Sequence, residues 1–289
     1  MNDIEIICPL YNAADYILSL KSSLDMQKEV NITKINFILT ESSDDSEKIL
    51  KENKIPFKKI LKKEFSHSKT REEAGLSSQS DILVFITQDV VIKDCDWLKK
   101  LVKPIIDGEA EASFSRQISK YNNIEKYTRE KNYPLESYIN TKADINKKGL
   151  NAFFFSDASS AIKTSVFKKL NGYDGKIFPT NEDMYIAHKL ITNGYKIKYC
   201  SDSIVYHSHK FTFKQLYKRY YDIGVFFAQN PYLNEYGTNK AGGGLAKYVL
   251  KRALKEFNIK VLFRFLPDML LRWLGFKKGK KNFCRNQKI

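Results

Sequence analysis

The sequence is poor in cysteine, and its cysteines lie far apart. Cys8, Cys95, Cys200 and Cys284 form no C-x-x-C pair, whereas zinc sites and disulfide frameworks are usually built on closely spaced cysteines. We therefore expect neither kind of site. Isolated thiols are typical of proteins in a reducing cytosol.

Long apolar runs are also missing. No uninterrupted apolar stretch approaches the roughly 20 residues that a membrane-spanning helix needs, so we expect no such helix. Residues 1–5 lack the positive-then-apolar start of a secretion signal. Both observations favour a cytoplasmic protein.

Two glycine-rich phosphate-binding motifs do not occur. No G-x-G-x-x-G follows the first predicted strand, and G-x-x-x-x-G-K-[ST] is found nowhere in the chain. A dinucleotide-binding domain and a P-loop domain are therefore disfavoured. A nucleotide would have to be held through its base, its ribose and a metal ion.

Acidic residues are outnumbered by basic ones, 33 to 49, which leaves a net charge of +16. A hydrophobic content of 43% excludes a disordered polybasic chain, because it is enough to build a core. Most of the excess charge lies in residues 245–289, which contain thirteen lysines and arginines but only two acids, a net charge of +11. The sequence thus predicts an anionic partner for the C-terminal end.

Apolar strands alternate with helical segments in the first part of the chain. The predicted strands are 4–8, 35–39, 55–61 and 81–86, and the predicted helices are 13–26, 47–53, 69–79 and 97–106. We expect Pro9 to end the first strand. This alternation predicts an α/β fold with a mostly parallel sheet covered on both faces.

The second part of the chain is less regular. Residues 121–138 are predicted to be a variable excursion, and 151–162 to return to the core. Helices are predicted at 165–170 and 182–193, and strands at 196–200 and 203–206. From residue 211 onward the pattern is helical, with an expected break at the glycines 242–244.

Three predicted strands end in polar residues. Pro9, Tyr11 and Asn12 follow the first strand, Glu41 and Asp44 the second, and Gln88 and Asp89 the fourth. The carboxyl ends of strands in such sheets line one crevice. These side chains are therefore expected to form a binding site.

Four short elements carry a family resemblance. They are CPLYN at 8–12, FSHSKTR at 65–71, TQD at 87–89, and NED at 181–183 with the later HSH at 207–209. In this order and spacing, over residues 4–228, the chain resembles a family 2 glycosyltransferase with the GT-A fold, in particular the bacterial rhamnosyltransferase-like branch. The resemblance implies a mostly parallel Rossmann-like sheet followed by a C-terminal helical extension.

A metal site is implied by the same resemblance. Asp89 corresponds to the second acid of the family's Asp-X-Asp motif, and Thr87 stands where the first acid, which usually contacts the ribose, would be. His207 or His209, with His207 preferred, would complete the shell of a Mn²⁺ or Mg²⁺ ion. The alternatives are that Asp89 only begins a turn and that the histidines are simply exposed.

The catalytic base implied by the family is Asp183, the second acid of the Glu182–Asp183 pair. An acceptor hydroxyl must lose its proton as it attacks the sugar, so a carboxylate is needed beside it. We expect the helix N-terminus to keep Asp183 ionised and somewhat less basic. The alternative is that both acids merely stabilise the first turn of the helix.

The resemblance also assigns the nucleotide-sugar contacts. These residues are Pro9, Tyr11, Asn12, Glu41, His67, Arg71, Gln88, Asp89 and Asp157. Glu41, with Asp44 as a fallback, would accept the N3–H of a uracil or thymine ring, and Tyr11 would lie against that ring. Arg71 would meet the pyrophosphate or the base, and His67 a phosphate or sugar. Asp157 would bind sugar hydroxyls or else cap a turn.

The C-terminal tail has the pattern of an amphipathic helix. In 258–276, Lys260, Arg264, Asp268 and Arg272 recur every four positions. Between them lie the apolar residues Val261, Leu262, Phe265, Leu266, Met269, Leu270, Trp273 and Phe276. Pro267 would kink or divide the helix. With the basic cluster at 277–281, this favours an anchor on an anionic membrane. The alternative is packing on the catalytic domain, and the tail has no nucleic-acid signature.

These expectations combine into one interpretation. Residues 1–210 would be the catalytic domain, with a nucleotide half at about 1–110 and an acceptor half at about 111–210, and residues 211–289 a helical region. The enzyme would transfer L-rhamnose from dTDP-L-rhamnose, with inversion, to a polyprenyl-phosphate-linked saccharide at the inner face of the cell membrane. A UDP-sugar donor (galactose or GlcNAc) and a catalytically inactive glycan- or membrane-binding scaffold are the alternatives.

Overall fold

The fold is that of a computed structural model, which describes residues 1–286 except for the side chains at 238–242 and 286. The strands are β1 (Asp3–Leu10), β2 (Asn31–Thr40), β3 (Phe57–Ile60), β4 (Ile82–Ile86), β5 (Ala112–Ile118), β6 (Tyr138–Asn140), β7 (Ser159–Lys163) and β8 (Ile197–Tyr206). The helices are α1 (Ile17–Asp25), α2 (Ser46–Glu52), α3 (His67–Ser77), α4 (Trp97–Ile106), α5 (Ile124–Asn132), α6 (Ile145–Lys148), α7 (Thr164–Lys169), α8 (Glu182–Thr192), α9 (Phe213–Gln229), α10 (Thr238–Lys255) and α11 (Ile259–Asn286).

The strands form one sheet in the order β3-β2-β1-β4-β7-β5-β8-β6. Only β7 and β6 run against the others, so the mostly parallel sheet is confirmed. Separate apolar clusters cover its two faces. All of β4 is buried between them, as its continuous apolar sequence predicts.

The prediction that Pro9 ends the first strand is wrong. β1 pairs with β2 as far as Leu10, but it pairs with β4 only as far as Ile7. Pro9 therefore lies beyond the stretch in which β1 has neighbours on both sides, where a missing N–H is tolerated. The strand carries the motif around Tyr11 directly to the sheet edge.

Strand β5 was not predicted, because the side chains on one of its two buried faces are polar. Ser115 and Ser159 each lie within hydrogen-bond distance of the indole nitrogen of Trp97, at 3.0 and 3.2 Å, and Ser115 is also 2.8 Å from Ser203. These hydroxyls are buried but paired, so they do not weaken the core. The two strands predicted at 196–206 are in fact the single strand β8, which shifts register opposite Ser115.

The C-terminal helices pack closely on each other. α11 runs through Pro267, so the division expected there is wrong, and α10 runs through the glycines where a break was expected. A Cβ at Gly279 would lie 2.0 Å from the carbonyl oxygen of Tyr221 on α9. Glycine at this position therefore allows the two backbones to meet. In the part of the chain that the structure describes, no helix is both long and apolar enough to cross a membrane.

Candidate active site

A cleft of about 620 Å³ lies at the carboxyl ends of β1 and β4, between the start of α8 and the end of β8. It contains ten of the twelve side chains assigned from the sequence: Pro9, Tyr11, His67, Arg71, Gln88, Asp89, Asp157, Asp183, His207 and His209. Asn12 and Glu41 lie outside it. The parallel arrangement of β1 and β4 accounts for this gathering, because both strands end at the same sheet edge.

Asp89, His207 and His209 form a compact cluster in the cleft. His207 Nε2 lies 3.5 Å and His209 Nδ1 lies 3.8 Å from Oδ2 of Asp89. Two histidines on one side of the chain after β8 thus face the acid at the tip of β4. The position of both imidazoles beside one carboxylate argues against simple surface exposure.

Further hydrogen bonds orient the residues of this cluster. The Nδ1 of His207 lies 3.0 Å from Oε1 of Gln117 on β5. When this nitrogen donates its proton to Gln117, Nε2 is left with a free electron pair that points towards Asp89. The amine of Lys120 donates to the backbone carbonyl of Asp89, which fixes the turn after β4.

The protonation of the cluster suits a cation. Burial would raise the pKa of Asp89, but the neighbouring groups His207, His209 and Lys120 hold it well below its usual range. Burial lowers the pKa of His207, and burial together with His207 lowers that of His209 to about 4. A carboxylate and two neutral imidazoles are the forms that bind metal ions.

The spacing of the ligand atoms also fits one ion. One donor atom from each of the three residues lies within 4.8 Å of the others, as expected for ligands about 2.1 Å from a shared centre. These three residues are therefore able to hold a divalent cation.

Asp183 lies in the first turn of α8 and lines the same cleft. Its Oδ1 accepts a hydrogen bond of 2.8 Å from the backbone N–H of Met184. Burial, with the negative charges of Glu182 and Asp157, nevertheless raises its pKa to about 8. The expectation that the helix N-terminus keeps Asp183 less basic is therefore wrong, because burial and like charge outweigh the helix dipole.

Arg71 lines the cleft, but its side chain is buried in the wall rather than exposed in the opening. Its side chain is 2% exposed and forms an ion pair of 2.9 Å with Glu182. The same guanidinium also contacts the ring and carbonyl of His67, one turn earlier in α3. The predicted contact of Arg71 with pyrophosphate does not agree with this burial, whereas His67 is exposed at the cleft.

Asp157 is almost fully buried at the back of the cleft. Its carboxylate accepts hydrogen bonds from Tyr173, at 2.8 Å, and Ser160, at 2.9 Å. Burial raises its pKa. The carboxylate therefore has structural partners, and the predicted contact with sugar hydroxyls does not agree with this position.

Gln88 connects the ends of β4 and β1. Its amide accepts from the N–H of Tyr11 at 2.7 Å and donates to the carbonyl of Tyr11 at 2.9 Å. Both polar atoms of this side chain are thus used by the backbone, which leaves it as a positioning residue rather than a ligand contact. The ring of Tyr11 remains 39% exposed at the cleft.

The residues expected to contact the base differ in whether their side chains are already hydrogen-bonded within the protein. Asn12 contacts the backbone of Ser43 through its side-chain oxygen, at 2.9 Å, and so fixes the loop after β2. Asp44, the fallback for Glu41, accepts from Ala14 and Ser46, and its carboxylate is therefore occupied. Glu41 is exposed, and it accepts only the N–H of Lys62 in the part of the chain that the structure describes.

The C-terminal helices supply cleft residues that were not predicted. Arg219 and Tyr220 on α9 and Arg272 on α11 line the cleft, although residues beyond 210 were expected to form a separate region. Arg272 is buried and bonds to the hydroxyl of Tyr220. In the sequence these residues only continue a helical pattern, so nothing local distinguishes them.

Comparison with known proteins agrees with this site. Residues 5–171 match the sequence model of Glycosyl transferase family 2. The O-antigen chain rhamnosyltransferase RfbN of Salmonella typhimurium is 32% identical in an alignment that covers 96% of this chain and 89% of the relative. WbaN of Salmonella anatum, another O-antigen chain rhamnosyltransferase, is 32% identical over 97% of this chain and 90% of its own length.

Solved structures resemble this fold at low sequence identity. A mannosyltransferase from Pyrobaculum calidifontis, in complex with GDP-Man and Mn²⁺, superposes with a TM-score of 0.62 at 14% identity, over 98% of this chain and 87% of that one. A fragment of TarS from S. aureus gives 0.55 at 16% identity, over 99% and 92%. These likenesses confirm the GT-A fold. The chain therefore belongs to glycosyltransferase family 2, and it is a glycosyltransferase that resembles the rhamnosyltransferases.

Proposed function

We propose that this enzyme transfers L-rhamnose from dTDP-L-rhamnose, with inversion, to a polyprenyl-phosphate-linked saccharide of a cell-surface polysaccharide. The observation that carries the proposal is that one cleft holds both a carboxyl group of raised pKa, Asp183, and the cluster of Asp89, His207 and His209. The first suits the acceptor hydroxyl, and the second suits the diphosphate of the donor.

Asp183 takes the proton of the acceptor hydroxyl as the hydroxyl oxygen attacks the anomeric carbon. The new glycosidic bond forms while the bond from that carbon to the diphosphate oxygen breaks, and the diphosphate leaves with the electron pair. A base is most effective when its pKa is near the working pH. The pKa of about 8 therefore makes Asp183 a stronger base than an ordinary aspartate.

Asp89, His207 and His209 would hold a Mn²⁺ or Mg²⁺ ion. Bound there, the ion would act as a Lewis acid and neutralise charge on the leaving diphosphate. Two imidazole ligands favour Mn²⁺, because Mg²⁺ prefers oxygen ligands. Arg219, which is exposed in the cleft and has no ion-pair partner among the described residues, adds positive charge beside this site.

The donor is proposed from the relatives. Both curated relatives are O-antigen chain rhamnosyltransferases and align over nearly the whole of this chain. Glu41, exposed after β2, accepts the N–H of Lys62 through Oε2, and its other carboxylate oxygen would accept the N3–H of a thymine ring. A thermal-shift panel of dTDP-L-rhamnose, UDP-galactose, UDP-GlcNAc and a GDP-sugar, each with Mn²⁺, tests this choice. The greatest stabilisation should come from dTDP-L-rhamnose, and a greater one from the GDP-sugar would contradict the role of Glu41.

Transfer itself is tested with Asp183→Asn. This substitution keeps the size of the side chain but removes the base, and we expect transfer to fall by at least about a hundredfold. Native folding of the variant is checked by its thermal unfolding. Undiminished transfer by a folded Asp183→Asn protein would refute the mechanism. If the wild type transferred no sugar from any donor to any acceptor, the result would favour a catalytically inactive scaffold.

An anionic membrane surface is the proposed location. Phe263, Leu266, Leu270 and Trp273 lie on one side of α11. Leu254 is near the end of α10, Phe257 is in the turn that follows, and Ile259 begins α11. We call these seven residues the outer face. Each is more than half exposed. Single exposed apolar residues are ordinary, but a continuous group of this kind indicates an interaction surface.

Basic residues surround the outer face. Exposed lysines lie at positions 247, 251, 255, 260, 277, 278 and 281. Each would contribute about 1 kcal/mol near an anionic bilayer. The buried face of α11 carries Asp268 and Arg272. The tail thus packs on the enzyme while its outer face stays open to lipid.

Vesicle flotation tests this location. The protein should float with phosphatidylglycerol vesicles and much less with phosphatidylcholine vesicles. Substitution of Phe263 and Trp273 by Glu should prevent flotation, whereas Leu135→Glu, at an exposed leucine outside the C-terminal helices, should not. Equal flotation of the double variant and the wild type would exclude the outer face. These substitutions are preferable to truncation, since truncation would uncover Ile124 and Tyr127, which pack against α10 and α11.

A further inference from the structure

A second cavity, of about 420 Å³, adjoins the active-site cleft. The two share five wall residues, which are Glu125, His209, Phe211, Leu216 and Arg272. The second cavity extends from the Asp89–His207–His209 cluster along the inner side of α11. It therefore joins the reaction site to the helix that carries the outer face.

Positive charge predominates in this cavity. Four cations, Lys120, Lys210, Arg264 and Arg272, line it, against Glu125 and Asp268. Both carboxylates are buried and already paired. Asp268 accepts from Arg264 at 3.0 Å, while Glu125 lies 3.4 Å from Arg129 and 3.9 Å from Arg272.

Two of the cations are incompletely paired. The amine of Lys210 lies 4.3 Å from the centre of the Tyr121 ring and has no carboxylate within ion-pair distance among the described residues. The Nε of Arg272, a residue that is 9% exposed, has no hydrogen-bond partner in that part of the chain. Buried polar groups are normally paired, so the unpaired Nε of Arg272, together with the exposed amine of Lys210, favours an anionic ligand.

We propose that the phosphate link of the lipid-linked acceptor is a diphosphate, and that the second cavity binds it. A phosphate ester attached to an apolar chain fits both sides of α11: its anion would meet Lys210 and Arg272 in the cavity, and its chain would lie against the outer face. The identity of this anion as an acceptor rests on the proposed function. The sugar that follows the diphosphate would then point towards Asp183.

The test is a titration with geranyl diphosphate, a short and soluble polyprenyl diphosphate. It is performed in a chelator and with dTDP at saturation, so that neither metal nor the donor subsite captures the probe. The wild type should bind geranyl diphosphate and should bind geraniol far more weakly. Lys210→Met should weaken diphosphate binding about fivefold, as expected for one charged contact.

Lys214→Met is the matched control. Lys214 is also exposed, lies four residues further along the chain, and lines neither cavity. The Lys214→Met protein should bind geranyl diphosphate as tightly as the wild type does. Equal affinities of wild type and Lys210→Met, or an equal loss in Lys214→Met, would overturn the proposal.

A parallel titration with inorganic pyrophosphate distinguishes a site for a lipid-linked diphosphate from a site for a free one. Tighter binding of geranyl diphosphate than of pyrophosphate supports the acceptor, and equal binding of the two overturns that assignment. The failure of this subsite is distinct from failure of the proposed function. If Lys210→Met binds geranyl diphosphate as tightly as the wild type while Asp183→Asn still abolishes transfer, only the subsite is rejected.

Discussion

Arg71 and Glu182 form an ion pair of 2.9 Å in the wall of the cleft, directly before the proposed base Asp183 in the chain. The pair links α3 to the first turn of α8. Glu182 has a second effect, since its negative charge is one of the causes that raise the pKa of Asp183. This buried ion pair thus positions the first turn of α8, and its Glu182 also raises the pKa of Asp183.

Glu182→Gln should therefore be strongly destabilising. It would leave the guanidinium of Arg71 buried without its partner, a change that typically costs about 3–5 kcal/mol. The measurement is the free energy of unfolding by urea. Glu73→Gln is the control, because it breaks the exposed Lys69–Glu73 pair on the same helix and should cost less than about 1 kcal/mol. Equal losses in the two variants would contradict a special role for the buried pair.

The pH dependence of kcat/KM should report the raised pKa of Asp183. The base acts only when deprotonated, so activity should rise with pH and level off above about 8. Because Glu182 contributes to the shift, residual activity of Glu182→Gln should rise at lower pH than that of the wild type. A wild-type profile that is already flat from pH 5 upward would show that Asp183 has an ordinary pKa, and would contradict this prediction.

The same pKa predicts a stability effect. A carboxyl group whose pKa is higher in the folded than in the unfolded protein favours folding below the unfolded value, and that contribution is lost as the pH rises through the folded value. Asp183 should thus destabilise the protein increasingly from about pH 4 to about pH 8, and the loss should level off above that. Asp183→Asn, which cannot ionise, should raise the Tm at pH 9 by at least several degrees and have a smaller effect at pH 5. A gain that is independent of pH would mean that ionisation is not its cause.

The sequence was most informative where apolar alternation and strand ends coincide. β1, β2 and β4 are apolar segments followed by polar residues, and so both the sheet and the gathering of Tyr11 and Asp89 could be predicted. β5 could not, since its buried serines resemble a loop and their pairing with Trp97 depends on distant strands.

Roles were harder to predict than positions. The motifs place Arg71, Gln88 and Asp157 at the cleft, but their partners Glu182, Tyr11 and Tyr173 become visible only in three dimensions. Likewise, Arg219 and Arg272 reach the cleft because α9 and α11 pack beside the sheet. This packing depends on the approach of two backbones, which has no local pattern in the sequence beyond isolated glycines.

Metal dependence should follow Asp89. Mn²⁺ should raise the Tm of the wild type, and Asp89→Ala should abolish both this gain and the activity, because it removes the charged ligand. Gln117→Leu should weaken Mn²⁺ binding roughly 10–100-fold, since it removes the group that orients His207. Asp94→Ala is the control, because Asp94 belongs to a separate group with Cys95 and Asp96. If Asp94→Ala lost the Mn²⁺ effect instead, the assigned ligands would be incorrect.

Gly279 should be essential for the position of α11. An alanine there would place its Cβ 2.0 Å from the carbonyl oxygen of Tyr221, so the helices would have to separate. We expect a loss of about 1–3 kcal/mol in the free energy of unfolding, together with reduced transfer as Arg272 leaves the cleft. Gly243→Ala is the matched control, because its Cβ would meet open space within α10 and alanine favours a helix by about 1 kcal/mol. Gly243→Ala should therefore leave transfer unchanged and the protein no less stable. If Gly279→Ala behaved in the same way, α11 would not depend on the close approach of the two backbones, and the contribution of Arg272 to the cleft would need another explanation.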